Sequence, residues 1–150
     1  MKTFGIIAAM QEEMQEIEKI MQYKENIKLY NLNIIKGKIN EYNIVLVEAG
    51  VGKVNAGRVT QILIDNFKID AIINVGSAGS ATDELNIGDI VIGKKLVQHD
   101  FDITAFGHQK GYISNVGQFI ESDDKLVLKM KQTIEKIEKA PIGSKKIDEI

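Results

Sequence analysis

A mixed α/β sheet flanked by helices is the fold the sequence predicts, and three observations predict it. Short apolar runs that read as buried strands alternate with stretches whose apolar residues recur at helical spacing. Two strand-like runs lie almost back to back, with only a few polar residues between them, as a hairpin needs. The composition is also right: 150 residues, 44% hydrophobic and 27% charged, are ordinary for a globular chain that buries roughly 70% of its unfolded surface. No repeat, low-complexity stretch or linker interrupts it, so a single domain over residues 1–150 is expected.

Phe4 to Ala9 is a continuous apolar run and reads as a strand buried on both faces. Met10, Met14, Ile17 and Met21 then recur at helical spacing with Gln, Glu and Lys between them, so an amphipathic helix follows. Lys28–Ile39 and Tyr42–Ala49 read as strands joined around Asn40-Glu41. Gly50-Val51-Gly52 breaks the second of these, and Val54, Val59, Leu63 and Phe67 mark another helix. Ala71–Val75 is again a buried strand, entering the loop Gly76-Ser77-Ala78-Gly79-Ser80. After Gly88, Asp89–Gly93 and Leu96–Gln98 read as strand, and His99–Gln118 as a long, polar, glycine-spotted loop. Ser122-Asp123-Asp124 supplies a cap and an acidic first turn for a last helix. That helix is expected to run to about Lys139 and to end at Pro141-Ile142-Gly143-Ser144.

Composition excludes several classes of function. A net charge of −2 argues against a nucleic-acid partner, which usually shows as a basic face. With no cysteine there is no disulfide and no thiolate chemistry, which fits a cytoplasmic location. No apolar run approaches the roughly 18 residues of a membrane span, and no charged-then-apolar leader is visible, so no membrane role is expected. Arg58 is the only arginine, and arginine is the preferred bidentate clamp for phosphate.

The carboxylate pair Glu12-Glu13 stands directly behind the first strand. A strand running into acidic residues at the opening of a helix puts carboxylates at the C-terminal rim of a sheet, where open α/β folds hold ligands. Two readings stand: the acids satisfy the positive end of the helix, or one of them deprotonates a water. Gly76-Ser77-Ala78-Gly79 offers a hydroxyl and a backbone that a ligand can approach closely, or is an ordinary tight crossover. Neither it nor Gly50-Val51-Gly52-Lys53 has the spacing of a phosphate-binding loop. His99, Asp100 and Asp102 form no recognised metal spacing, so no metal is expected. The apolar members of Phe101-Asp102-Ile103-Thr104-Ala105-Phe106 suit a pocket, an interface or core packing.

The order of these segments is more specific than any one of them. Gly5-Ile6-Ile7-Ala8-Ala9-Met10-Gln11-Glu12-Glu13-Met14 is followed by Glu48-Ala49-Gly50-Val51-Gly52-Lys53-Val54-Asn55-Ala56, then by Asn74-Val75-Gly76-Ser77-Ala78-Gly79. Gly88-Asp89-Ile90-Val91 comes next, and His99-Asp100-Phe101-Asp102-Ile103-Thr104-Ala105-Phe106-Gly107 last. The series resembles the N-terminal part of the 5′-methylthioadenosine/S-adenosylhomocysteine nucleosidases, in the nucleoside phosphorylase superfamily, from Phe4 to about Lys139. The resemblance implies cofactor-free hydrolysis of the N-glycosidic bond of those nucleosides with release of adenine, a step of methionine salvage and methyl-cycle recycling. It also implies that Glu13 helps activate water, that Met10 lies at the ribose and that Ser77 lies beside the water and ribose. Val51, Ile103 and Phe106 match positions around the 5′-alkylthio group, the last two lent by the neighbouring subunit of a homodimer. An apolar pocket suits a thioether, since sulfur packs well against aromatic rings.

The chain departs from the family pattern at several points. Gln11 replaces the first acid of the family's Met-Glu-Glu-Glu run, His108 stands where tyrosine is frequent, and Ser114 where proline is frequent. The last two bear on preference for the 5′ substituent. The family's C-terminal segment, with its ribose clamp and the aspartate that protonates adenine, has no counterpart in these 150 residues. The resemblance therefore implies adenine release slowed by about 10²–10⁴-fold, poorer positioning of the sugar and an unpaired sheet edge. Two other readings stay open: a phosphorylase of the same superfamily, and a non-catalytic remnant that dimerises or binds nucleosides.

Overall fold

The computed structural model describes residues 2–138. The chain divides into two compact units, the first ending at Gly79 and the second beginning at Ser80.

The first unit is a five-stranded mixed sheet with one helix on each face. Its strands are β1 (Thr3–Ala8), β2 (Gln22–Leu29), β3 (Leu32–Ile39), β4 (Tyr42–Glu48) and β5 (Ala71–Val75), in the order β2-β3-β4-β1-β5. The helices are α1 (Gln11–Ile20) and α2 (Lys53–Phe67). β1 runs parallel to both β4 and β5, while β2, β3 and β4 form an antiparallel meander. Successive side chains of a strand point to opposite faces, and both faces are apolar here. Ile7, Ile34, Val45 and Val47 pack with Val59 and Leu63 of α2. Ile6, Ala8, Ile35, Ile44 and Leu46 pack with Met14 of α1 and with Met21. The β1 run is therefore apolar throughout because it is covered twice. Gly5 sits where a Cβ would lie 3.1 Å from Leu63 Cδ1, so its lack of a side chain lets α2 close onto the sheet.

The expected helices and the hairpin at Asn40-Glu41 are present, with Ile39 opposite Tyr42 and Asn40 in the left-handed region (φ 50°). The single strand expected over Lys28–Ile39 is instead a second hairpin. Tyr30 and Asn31 both take positive φ (48° and 62°) and turn the chain in two residues, with Leu29 opposite Leu32. Positive φ at both central residues is the geometry that matches strand twist, and asparagine tolerates it. The first helix stops at Ile20: Met21 is extended and buried, capping α1 through its N–H on the Glu18 carbonyl, 3.2 Å.

In the second unit, β6 (Lys95–Leu96) pairs with β7 (Ile120–Glu121), and α3 (Asp124–Glu138) packs Val127 and Ile134 on Ile92. Asp89–Gly93 is not a strand. Ile90 and Val91 are exposed, and the Asp89 carboxylate instead closes a turn by accepting the Asn86 N–H at 2.7 Å. The strand expected over Leu96–Gln98 shrinks to Lys95–Leu96. His99–Gln118 is loop, apart from one 3₁₀ turn at Thr104–Phe106 and a bridge between Ile113 and Gly117. Asp123 caps α3 as expected, its Oδ1 accepting the Leu126 N–H at 2.9 Å. Lys139 and Pro141–Ser144 lie outside the described residues.

Candidate active site

Parallel register sets the rim of the site. Ala8 is level with Glu48 on one side and Val75 on the other, so β1, β4 and β5 end together. The loops that follow them leave from one edge of the sheet, and the Ala49 N–H donates to the Ala8 carbonyl at 2.8 Å.

Glu13 is built into this rim from both sides. The first amides of a helix have no partner within it, and α1 begins with an extended residue, Met10 (φ −132°, ψ 155°), that carries no capping hydroxyl or carboxylate. Glu13, three residues on, turns back instead: its Oε2 accepts the N–H of Ala9 at 3.0 Å and of Met10 at 3.1 Å. This is the glutamate half of a capping box. Its Oε1 is taken by the loop after β5, accepting the Ser77 N–H at 2.8 Å and the Ser77 hydroxyl at 3.0 Å. The Ser77 N–H, above all, holds the Glu13 carboxyl below its ordinary value of 4.5. Partial burial opposes this, while the Ser77 hydroxyl and the amides of Met10 and Ala9 reinforce it. The group is an anion at neutral pH.

Gly76 makes room for that anion. A Cβ on Gly76 would lie 3.0 Å from Glu13 Oε1 and 3.3 Å from its Cδ, whereas one on Gly79 would meet nothing within 4 Å. The capping reading of Glu13 holds, and the same carboxylate that caps α1 stands at the rim beside Ser77. The amide of the Gly76-Ser77 turn is aimed at Glu13. No side-chain pattern signals the Ala9 and Met10 amides, since any residue supplies an N–H; the visible traces of the Glu13 seat are the Ser77 hydroxyl and Gly76 immediately before it.

The other anticipated residues fall into two groups. Met10 is 39% exposed at the start of α1, and Val51 is 72% exposed in the loop after β4. The Val51 carbonyl accepts Asn55 Nδ2–H at 2.9 Å, and Gly50 and Gly52 take the positive φ (81° and 107°) that the entry to α2 requires. Ile103 and Phe106 belong to the second unit. Ile103 is half-buried at the start of the 3₁₀ turn, and Phe106 within it is 80% exposed. Asp102 caps that turn, its Oδ1 accepting the Thr104 N–H at 2.9 Å and the Thr104 hydroxyl at 2.7 Å. Those bonds, the N–H foremost, hold its carboxyl below the usual aspartate range. His108 stacks on Tyr112 with ring centroids 4.4 Å apart. Among the described residues no three His, Asp or Glu side chains converge as a metal site, and no helix is long and apolar enough to cross a membrane.

A sequence model of the phosphorylase superfamily matches residues 3–144. The chain belongs to that superfamily. It is 40% identical over 134 residues to a 5′-methylthioadenosine/S-adenosylhomocysteine nucleosidase of Staphylococcus carnosus, covering 89% of this chain and 59% of the relative. The crystal structure of the S-adenosylhomocysteine nucleosidase of Streptococcus pyogenes with 5-methylthiotubericidin superposes with a TM-score of 0.90 at 34% identity, over 99% of this chain and 61% of that one. The nucleosidase of Neisseria meningitidis in complex with methylthio-immucillin-A gives 0.92 at 31% identity, over 99% and 62%. The fold is therefore the nucleosidase fold of the superfamily, and the chain spans less than two thirds of each of these relatives.

Proposed function

We propose that the chain, as part of one family domain, carries the water-activating side of an N-glycosidic hydrolase that releases adenine from 5′-methylthioadenosine and S-adenosylhomocysteine. The observation that carries this reading is Glu13: an ionised carboxylate fixed at the sheet rim by four donors, two of them from Ser77. The similarity to nucleosidases supports the substrate class.

In this reading a water attacks C1′ of the ribose and passes a proton to Glu13. The bond from C1′ to the adenine nitrogen breaks, and its electron pair leaves with the base. The transition state is oxocarbenium-like, so the fixed negative charge of Glu13 also favours the cation developing beside it. Ser77 lies beside the water and ribose, and Met10 against the ribose. Val51 flanks the 5′-thioether together with Ile103 and Phe106, these two supplied by the neighbouring subunit of a homodimer working in the cytoplasm. A phosphorylase would have to seat a phosphate dianion next to the Glu13 carboxylate. The only arginine, Arg58, lies exposed on α2, so the hydrolase is the better fit.

Adenine release from methylthioadenosine by the 150-residue chain tests the reading. Release that falls about 10²–10⁴-fold in Glu13→Gln is expected. Equal rates in the chain and the variant would overturn it.

A further inference from the structure

An ionised carboxylate offers about four acceptor positions, and all four of Glu13 are filled. Ala9 N, Met10 N, Ser77 N and Ser77 Oγ lie between 2.8 and 3.1 Å from its oxygens. A water that must hand a proton to this group therefore finds no open position. The four donors are not equivalent. Three are main-chain N–H groups held by the structure around them. Those of Ala9 and Met10 sit at the β1–α1 joint, where the Met10 carbonyl also takes the Glu13 N–H at 3.2 Å. That of Ser77 comes two residues after the end of β5. The fourth donor is a hydroxyl on one rotatable bond. It can leave by a change of χ1 alone, losing one hydrogen bond and moving no backbone.

We propose that the Ser77 hydroxyl is the releasable donor of the site: it fills the Oε1 position in the free chain and is drawn off by a sugar hydroxyl of the bound nucleoside, opening Glu13 to water only when substrate is in place. The inference rests on the nucleosidase reading above. Ser77 keeps its proton throughout and only re-aims it, so it acts as a positioning residue for Glu13. Losing one donor also weakens the stabilisation of the anion, which makes Glu13 a stronger base as the water arrives.

The test is an NMR titration of the Glu13 side-chain carboxyl carbon in the free chain and with two probes. One probe is a methylthioadenosine analogue in which carbon replaces the glycosidic nitrogen; the other is the same analogue without its ribose hydroxyls. Both shield Glu13 from water, but only the first can take the Ser77 hydroxyl. The expected result is a larger upward move of the Glu13 titration with the hydroxylated probe. That difference should be absent in Ser77→Ala and retained in Ser77→Thr, which keeps a hydroxyl. Equal moves with both probes would overturn the inference and leave the nucleosidase reading standing. Failure of the hydroxylated probe to bind would overturn both.

Discussion

Glu13 and Ser77, 64 positions apart in the chain, share two hydrogen bonds at one carboxylate oxygen, 2.8 and 3.0 Å long. The pair ties the start of α1 to the end of β5. The placement of the carboxylate is therefore fixed by the register of β1 against β5, in which Ala8 is level with Val75. Sheet pairing, made by apolar residues with no chemistry of their own, thus positions a carboxylate that is held as an anion from both sides.

The span of that bridge depends on side-chain length. Glu13→Asp keeps the charge but shortens the reach by one methylene, so one carboxylate no longer meets both the α1 amides and Ser77. Adenine release is expected to fall roughly 10²-fold, with far-UV circular dichroism unchanged. Activity like that of the parent chain would mean that the two-sided seat is not needed.

The lowered titration of Glu13 carries a stability prediction. Its folded-state value lies below 4.5, so the unfolded chain binds the proton more readily. The stabilisation is present above 4.5 and is lost as pH falls through the lower folded value. Thermal unfolding from pH 7 to pH 2 should show a gap in Tm between the parent chain and Glu13→Gln that narrows below about pH 4.5. Asp102, also lowered, is common to both proteins and cancels in the comparison.

Gly76 and Gly79 lie in one loop and should respond differently. Gly76→Ala puts a Cβ 3.0 Å from Glu13 Oε1, pushing the carboxylate off the Ser77 N–H. Its titration should then move back up toward the ordinary glutamate value, and activity should drop by roughly 10²-fold. Gly79→Ala meets nothing within 4 Å and should leave both unchanged. The comparison is read by NMR titration beside the adenine assay.

Leu63 is fully buried where α2 packs on β1, next to Gly5. Leu63→Ala leaves a cavity there and should cost about 2–5 kcal/mol in urea denaturation. A loss under about 0.5 kcal/mol, the size of an ordinary surface substitution, would mean that α2 does not pack as described.

How much of this was legible in the sequence depended on whether a segment was covered. β1 is apolar from Phe4 to Ala8 because it is paired on both sides and covered on both faces, and it was bounded to within a residue. Ala71–Val75 was bounded correctly, but β5 is an edge strand of the described sheet, half-buried with Asn74 exposed, and not the buried strand expected. β2 is an edge strand whose exposed Tyr23, Lys24, Glu25 and Lys28 carry no apolar signal, so the Tyr30-Asn31 hairpin merged into one long strand. The two-residue strands β6 and β7 are too short to show a period. Within the site, the position of Glu13 behind a strand was visible, and so was the hydroxyl of Ser77. What fills the carboxylate was not, because three of its four donors are backbone amides that leave no mark on side-chain identity.

Identifying the sugar product tests the central claim, that Glu13 turns water into the nucleophile, most directly. Methylthioadenosine is incubated with the chain in phosphate buffer, and the sugar is analysed by mass spectrometry beside a Glu13→Gln control. The account predicts free methylthioribose, formed equally well without phosphate and lost in the control. A sugar 1-phosphate, or free sugar formed as fast by Glu13→Gln, would contradict it.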